Sequence, residues 1–92
     1  MDLLSNEDRQ AFLFGHNGWV IDGEVLSKTF THDSFAAAVG FVAAVGVQAE
    51  KAFHHPDIDI RYSKVTIALT THDAGGLTEK DTDLATQIEQ LR

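Results

Sequence analysis

The chain has 92 residues, 43% of them hydrophobic and 23% charged, a balance that excludes disorder and leaves room for one domain rather than two. Seven Lys and Arg against 14 Asp and Glu give a net charge of -7 with no basic run, which argues against direct binding to nucleic acid or to an anionic membrane. Cysteine is absent, which excludes disulfides, thiolate metal sites and sulfur redox chemistry.

The start, Met1 to Glu7, carries acids in place of the basic region of an export signal, and the cytoplasm is the expected compartment. A chain this short buries a smaller fraction of its surface than a large protein does, so self-association is expected to add stability. A Ser-x-x-Asp signal at Ser5 opens a short helix to Phe14, with Ala11, Phe12 and Phe14 near its end and Gly15 and Gly18 breaking it. Trp19 to Ile21 favours strand, Asp22-Gly23 is a two-residue hairpin turn, and Glu24 to Thr31 runs back as the partner.

Asp33 stands where the N-cap of the main helix is expected, over roughly residues 34–51. In it Phe35, Val39, Val42, Val45 and Ala49 recur at spacings of three and four as one apolar stripe. The uncharged stretch Ser34 to Ala49 is shorter than a bilayer span and reads as a buried helix. Gly40 and Gly46 within it each cost about 1 kcal/mol relative to Ala, which implies that another backbone comes close. Ile58, Ile60 and Tyr62, then Val65, Ile67, Leu69 and Thr71, alternate as two strands joined near Arg61 to Lys64. Gly75-Gly76 ends this second hairpin, Thr78 caps a last helix, and Leu84, Ala85, Ile88 and Leu91 form its apolar stripe. The order α-β-β-α-β-β-α predicts an α+β fold: one four-stranded antiparallel sheet with helices packed on one face, the other face polar or covered by a partner.

His54 and His55 precede the second hairpin and His72 follows it, so pairing of the strands brings the three together. Imidazoles titrate near neutrality, and a group of them can keep one ring protonated as acid and another neutral as base, the equipment of an elimination catalyst. The same residues also fit two other readings. They can be exposed histidines at loop ends, or part of a two-His, one-carboxylate metal site completed by Asp57, Asp59 or Asp73, though no His-x-x-x-His spacing supports the metal. Asp81 lies three, four and seven residues before Leu84, Ala85 and Ile88 and so shares the inward face of the last helix. It either completes a capping box with Thr78 or orients an imidazole, and the two roles are compatible. His16 and His32 have no partners by spacing and read as ordinary loop or edge residues. There is no Gly-rich phosphate loop, and Ser5, Ser27, Ser34 and Ser63 lie in no nucleophile elbow.

The segments Gln48-Ala49-Glu50-Lys51, His54-His55-Pro56-Asp57, Lys64 to Asp73 and Gly76-Leu77-Thr78, with Asp81 before Leu84-Ala85, resemble the pterin-4a-carbinolamine dehydratase family. The likeness is strongest over residues 48–89 and extends more weakly to Gly18-Trp19 and Phe30 to Phe35. It implies a four-stranded antiparallel sheet with helices on one side, assembling as a homodimer or homotetramer. It also implies a hydro-lyase, free of metal and cofactor, that dehydrates the 4a-hydroxytetrahydropterin left by an aromatic amino acid hydroxylase to quinonoid dihydropterin. The resemblance assigns His54, His55, His72 and Asp81 to catalysis, and His55, Pro56, Asp57, Thr71 and Asp73 to holding the pterin. Some relatives bind partner proteins, so an assembly module on the same fold is the alternative reading. The chain departs from the commonest pattern at Ile58, where many relatives carry an aromatic residue that would wall the pterin pocket.

Overall fold

A computed structural model describes residues 1–92. Ser5 opens α1 (Asn6–Gly15) with a capping box, its hydroxyl accepting from the Asp8 N–H at 3.0 Å while Asp8 accepts from the Ser5 N–H at 3.3 Å. The chain then forms β1 (Val20–Asp22) and β2 (Val25–Thr31), α2 (Phe35–Ala52), β3 (Asp57–Arg61) and β4 (Lys64–Leu69), and ends in α3 (Glu79–Glu89). A single 3₁₀ turn, His72–Ala74, between β4 and α3 has no counterpart in the sequence reading.

All four strands pair antiparallel in the order β1-β2-β4-β3, so the longer β2 and β4 lie at the centre and β3 forms an edge. The register sets Leu26, Phe30, Val65, Ile67 and Leu69 on one face. There they join Phe12 of α1, Ala38, Phe41, Val45 and Ala49 of α2, and Leu84, Ala85 and Ile88 of α3 in one core of 15 buried residues. The opposite face presents Ser27, Thr29, Thr66, Asp59, Arg61 and Lys64, with Thr29 and Thr66 hydroxyls hydrogen-bonded at 2.8 Å. The predicted α+β layer with helices on one face is therefore the observed fold.

Several local expectations shift. The first hairpin turns at Gly23-Glu24, one residue later than predicted, because Gly23 takes a φ of 61° at the first position of the turn and Asp22 is drawn into the pair Asp22–Val25. Ser34, and not Asp33, caps α2: its backbone is extended and its hydroxyl accepts from the Ala37 N–H at 3.0 Å. Tyr62 belongs to the turn between β3 and β4, with a φ of 53°. The buried stripe of α2 is rotated from the predicted one towards Ala38 and Phe41, while Phe35 and Val39 are 53% and 46% exposed. Only one side of this helix is buried, and a side chain at Gly40 or Gly46 would meet nothing within 4 Å, so the expected close backbone approach is not made within the chain.

His16 and His32 are more engaged than spacing suggested. The His16 ring stacks on Phe12 with centroids 3.9 Å apart, its Nδ1 lies 2.8 Å from the Phe12 carbonyl, and its Nε2 lies 3.3 Å from the Thr86 hydroxyl. His32 lies against Phe41 with its Nε2 buried and without a partner.

Candidate active site

The site is built where the C-terminus of α2, the end of β4 and the start of α3 meet. α2 ends in a Schellman motif: the Phe53 N–H donates to the Glu50 carbonyl at 3.2 Å and the His54 N–H to the Ala49 carbonyl at 3.1 Å. Phe53 takes the left-handed conformation, φ 51°, that glycine usually fills there. A β-carbon in that conformation costs on the order of 1 kcal/mol, and the reversal it produces turns His54 back under the helix.

Asp81 anchors the site. It is fully buried on α3 and accepts from three donors: the His54 ring Nε2 at 2.5 Å, and at its other oxygen the Thr71 hydroxyl at 2.8 Å and the Thr78 N–H at 2.9 Å. Thr78 is the N-cap of α3, so the capping-box and histidine-orienting roles are both met by one carboxylate. The Thr71 and Thr78 hydroxyls lie 2.9 Å apart, and the Thr78 oxygen also accepts from the Lys80 N–H at 3.2 Å. With Thr71 donating to Asp81, the Thr78 hydroxyl must donate to Thr71, and the chain of donors runs one way. A carboxylate only accepts, so facing the Asp81 carboxylate His54 carries its hydrogen on Nε2. Nδ1 of His54 makes no hydrogen bond within the protein.

A cavity of about 250 Å³ is lined by Phe53, His54, His55, Thr70, Thr71, His72, Asp73 and Lys80. The three histidines thus share one concavity, as strand pairing required. They differ in setting: His54 is 9% exposed, whereas the His55 side chain is 65% exposed and its Nε2 lies 2.9 Å from a carboxylate oxygen of Glu50. His72 is exposed, on the 3₁₀ turn beside Asp73. Thr71 lines the cavity but spends its hydroxyl on Asp81. Pro56 and Asp57 lie outside the cavity, because the pairing of Asp57 with Ala68 turns its side chain to the helix-free face of the edge strand. Ile58, paired with Ile67 on the helix side, also lies outside it. No group of three His, Asp or Glu side chains stands at ligating geometry, so Asp57, Asp59 and Asp73 do not build a metal centre with the histidines.

Sequence reasoning read Thr78 as the cap partner of Asp81 and Thr71 only as holding the pterin, and missed that both hydroxyls join the shell of Asp81. Lys80 borders the cavity one residue before Asp81 and carries no motif of its own.

The segment that brings Thr71, His72 and Thr78 to this place is itself tied down. Thr71 and Gly76 form an isolated antiparallel bridge, Leu4 N–H donates to the Leu77 carbonyl at 2.8 Å, and Leu77 N–H donates to Glu24 at 2.9 Å. Glu24 is gripped in turn by the Arg9 guanidinium through both oxygens, at 2.8 and 2.9 Å.

Known proteins resemble the chain in sequence and in fold. The profile described as "Pterin 4 alpha carbinolamine dehydratase" matches residues 2–91. A protein of Roseiflexus sp. (strain RS-1) is 53% identical over 88 residues, 96% of this chain and 95% of its own. One of Chloroflexus aurantiacus is 53% identical over 91 residues, 99% and 98% of the two; both bear the name "Putative pterin-4-alpha-carbinolamine dehydratase". Among solved structures, the transcriptional coactivator/pterin dehydratase of Brucella melitensis superposes with a TM-score of 0.91 at 30% identity, over 98% of each chain. A pterin dehydratase-like protein identified as a RuBisCO assembly factor of the alpha-carboxysome superposes with a TM-score of 0.70 at 26% identity, over 83% of this chain and 90% of its own. A match that runs from end to end in sequence and in fold settles the membership: the chain belongs to the pterin-4a-carbinolamine dehydratase family.

Proposed function

We propose that the chain dehydrates a 4a-hydroxytetrahydropterin to quinonoid dihydropterin by histidine acid–base catalysis in the cytoplasm, serving the recycling of a tetrahydropterin. The observation that carries this reading is the buried Asp81 bonded to Nε2 of His54 at 2.5 Å, with His54 lining a cavity that His55 and His72 also line. A partner-binding scaffold has no physical need for such a pair, whereas a proton-transfer catalyst needs a ring held in one tautomer beside its substrate.

In this reading an imidazolium gives its proton to the 4a-hydroxyl as the C–O bond breaks, and a neutral imidazole takes the proton released from a ring nitrogen. One water leaves and no hydroxide is expelled. His54 and His72 move the protons, His55 and Asp73 hold and orient the pterin, and Asp81, with Thr71 behind it, fixes the tautomer of His54. The test is dehydration of freshly generated 4a-hydroxytetrahydropterin followed by ultraviolet absorbance. Acceleration over the spontaneous rate supports the dehydratase; a rate equal to the spontaneous one contradicts it.

The second reading, a non-catalytic assembly module, is favoured by the likeness to a RuBisCO assembly factor. It would leave the dehydration rate at its spontaneous value while the fold stays intact. In either reading we propose self-association through the outer side of α2, where Phe35, Val39 and Val47 are exposed and Gly40 and Gly46 leave room for a close neighbour.

A further inference from the structure

Two cavities meet at His54. The smaller is the one lined by the three histidines. The larger, about 510 Å³, lies between the last turns of α2 and the first turns of α3, and its wall includes Gln48, Lys51, Lys80, Asp83 and Gln87 together with His54 itself. His54 and Lys80 border both, so a ligand seated against His54 can extend from one into the other.

The charge at the larger cavity runs against that of the chain. Of seven Lys and Arg, Arg9, Lys28, Arg61 and Arg92 are engaged in ion pairs, while Lys51, Lys64 and Lys80 form none. Two of those three unpaired lysines stand at this one cavity, facing a single acid, Asp83, in a protein of net charge -7. Lysine ammonium groups act as compact point charges towards phosphate, and on an acidic surface an unpaired couple of them is a local minimum of energy for an anion.

We propose that the cavity between α2 and α3 receives the substituent carried by the pterin ring, and that Lys51 and Lys80 select a substituent bearing a phosphomonoester. The inference rests on the dehydratase reading of the adjoining cavity and adds to it the class of pterin. The ring occupies the space before His54, the substituent passes Lys80, and the dianion lies between the two ammonium groups. Gln48 and Gln87 are available to bond hydroxyls along the way.

The test compares the Kd of 7,8-dihydroneopterin with that of its monophosphate, by calorimetry, on the intact protein, on the Lys51→Gln/Lys80→Gln variant and on Lys64→Gln as a control. Two exposed charge contacts correspond to about tenfold tighter binding of the monophosphate by the unmodified protein and by Lys64→Gln. The ratio is expected to fall to about one in the double variant and to shrink as salt is raised. Equal affinities in the unmodified protein, or a preference that survives in the double variant, would overturn the inference while leaving the dehydratase reading in place. Failure of both pterins to bind would overturn the inference, and the dehydration assay decides the dehydratase reading separately.

Discussion

A carboxylate without solvent contact has to find its hydrogen bonds inside the protein, and Asp81 finds three, from His54, Thr71 and Thr78. Removing it would leave those donors unsatisfied in a buried place, at a cost of about 3–5 kcal/mol, a large part of what a small domain has. Asp81→Asn keeps the shape and is the sharper probe. To keep accepting from Thr71 and Thr78, the amide must turn its oxygen to them and its NH₂ to His54. The ring then has to accept at Nε2 and carry its hydrogen on Nδ1, the tautomer opposite to the native one. Turnover is expected to fall about a hundredfold with folding retained, and the imidazole ¹⁵N shifts of His54 should report the exchanged tautomer. Unchanged shifts would remove the orienting role. At this scale the sequence was most legible where a residue answers to two patterns: Asp81 satisfied both the cap spacing and the inward face. That the Thr71 and Thr78 hydroxyls meet at Asp81 was hidden because a hydroxyl's direction depends on strand and helix ends that only the fold brings together.

At the scale of elements, the two hairpins and three helices follow from turn chemistry and periodicity, and the errors fall where those signals are degenerate. α2 is apolar nearly all round, with Ala and Gly between its Val and Phe residues, so spacing could not tell its sheet-facing side from its outer side. The Asp22-Gly23 signal gave way to Gly23-Glu24 because the strand register extends through Asp22. The connection from Thr71 to Thr78 matters most for the site, and the sequence showed its histidine, its glycines and its helix cap but not how it is tied down. Gly76 is packed so closely that an added β-carbon would lie 2.1 Å from an oxygen of Glu24, the same carboxylate that receives the Leu77 N–H. Gly76→Ala is therefore expected to lower stability by about 1–3 kcal/mol in urea unfolding, through displacement of Glu24 from Leu77 and Arg9. No change in midpoint would show that this latch is slack.

For the whole molecule, two clamps join elements far apart in sequence, and both depend on ionised glutamates. Glu24 accepts from the Leu77 N–H and from Arg9, which hold its carboxyl below the ordinary glutamate value near 4.5. Burial pushes the carboxyl of Glu89 up, but the hydrogen bonds from Lys28 and the Trp19 indole outweigh it and leave it lowered as well. The unfolded chain takes up these protons at the ordinary value and the folded chain only at lower pH. Their contribution to stability is thus whole above about pH 4.5 and is lost as pH falls through the lowered folded values. The unfolding temperature should fall on acidification below that point, and Glu24→Gln with Glu89→Gln should flatten this fall; an unaltered acid limb would contradict the assignment. The outer side of α2 carries the other expectation at this scale. Val39→Glu with Val47→Glu should shift the mass in light scattering from a multiple of 10.1 kDa to that value itself, whereas an unmodified protein already at 10.1 kDa would exclude self-association. The layer itself was legible because one face of each strand alternates apolar residues, while the surface that would meet a neighbour was not, because nothing in a single chain names its neighbour.

The central claim, that His54 oriented by Asp81 transfers a proton in pterin dehydration, is tested most directly by the absorbance-followed dehydration of 4a-hydroxytetrahydropterin with the unmodified protein and with His54→Ala. Acceleration by the unmodified protein, reduced about a hundredfold or more by the substitution, is the result expected. Acceleration that His54→Ala leaves unchanged would contradict it.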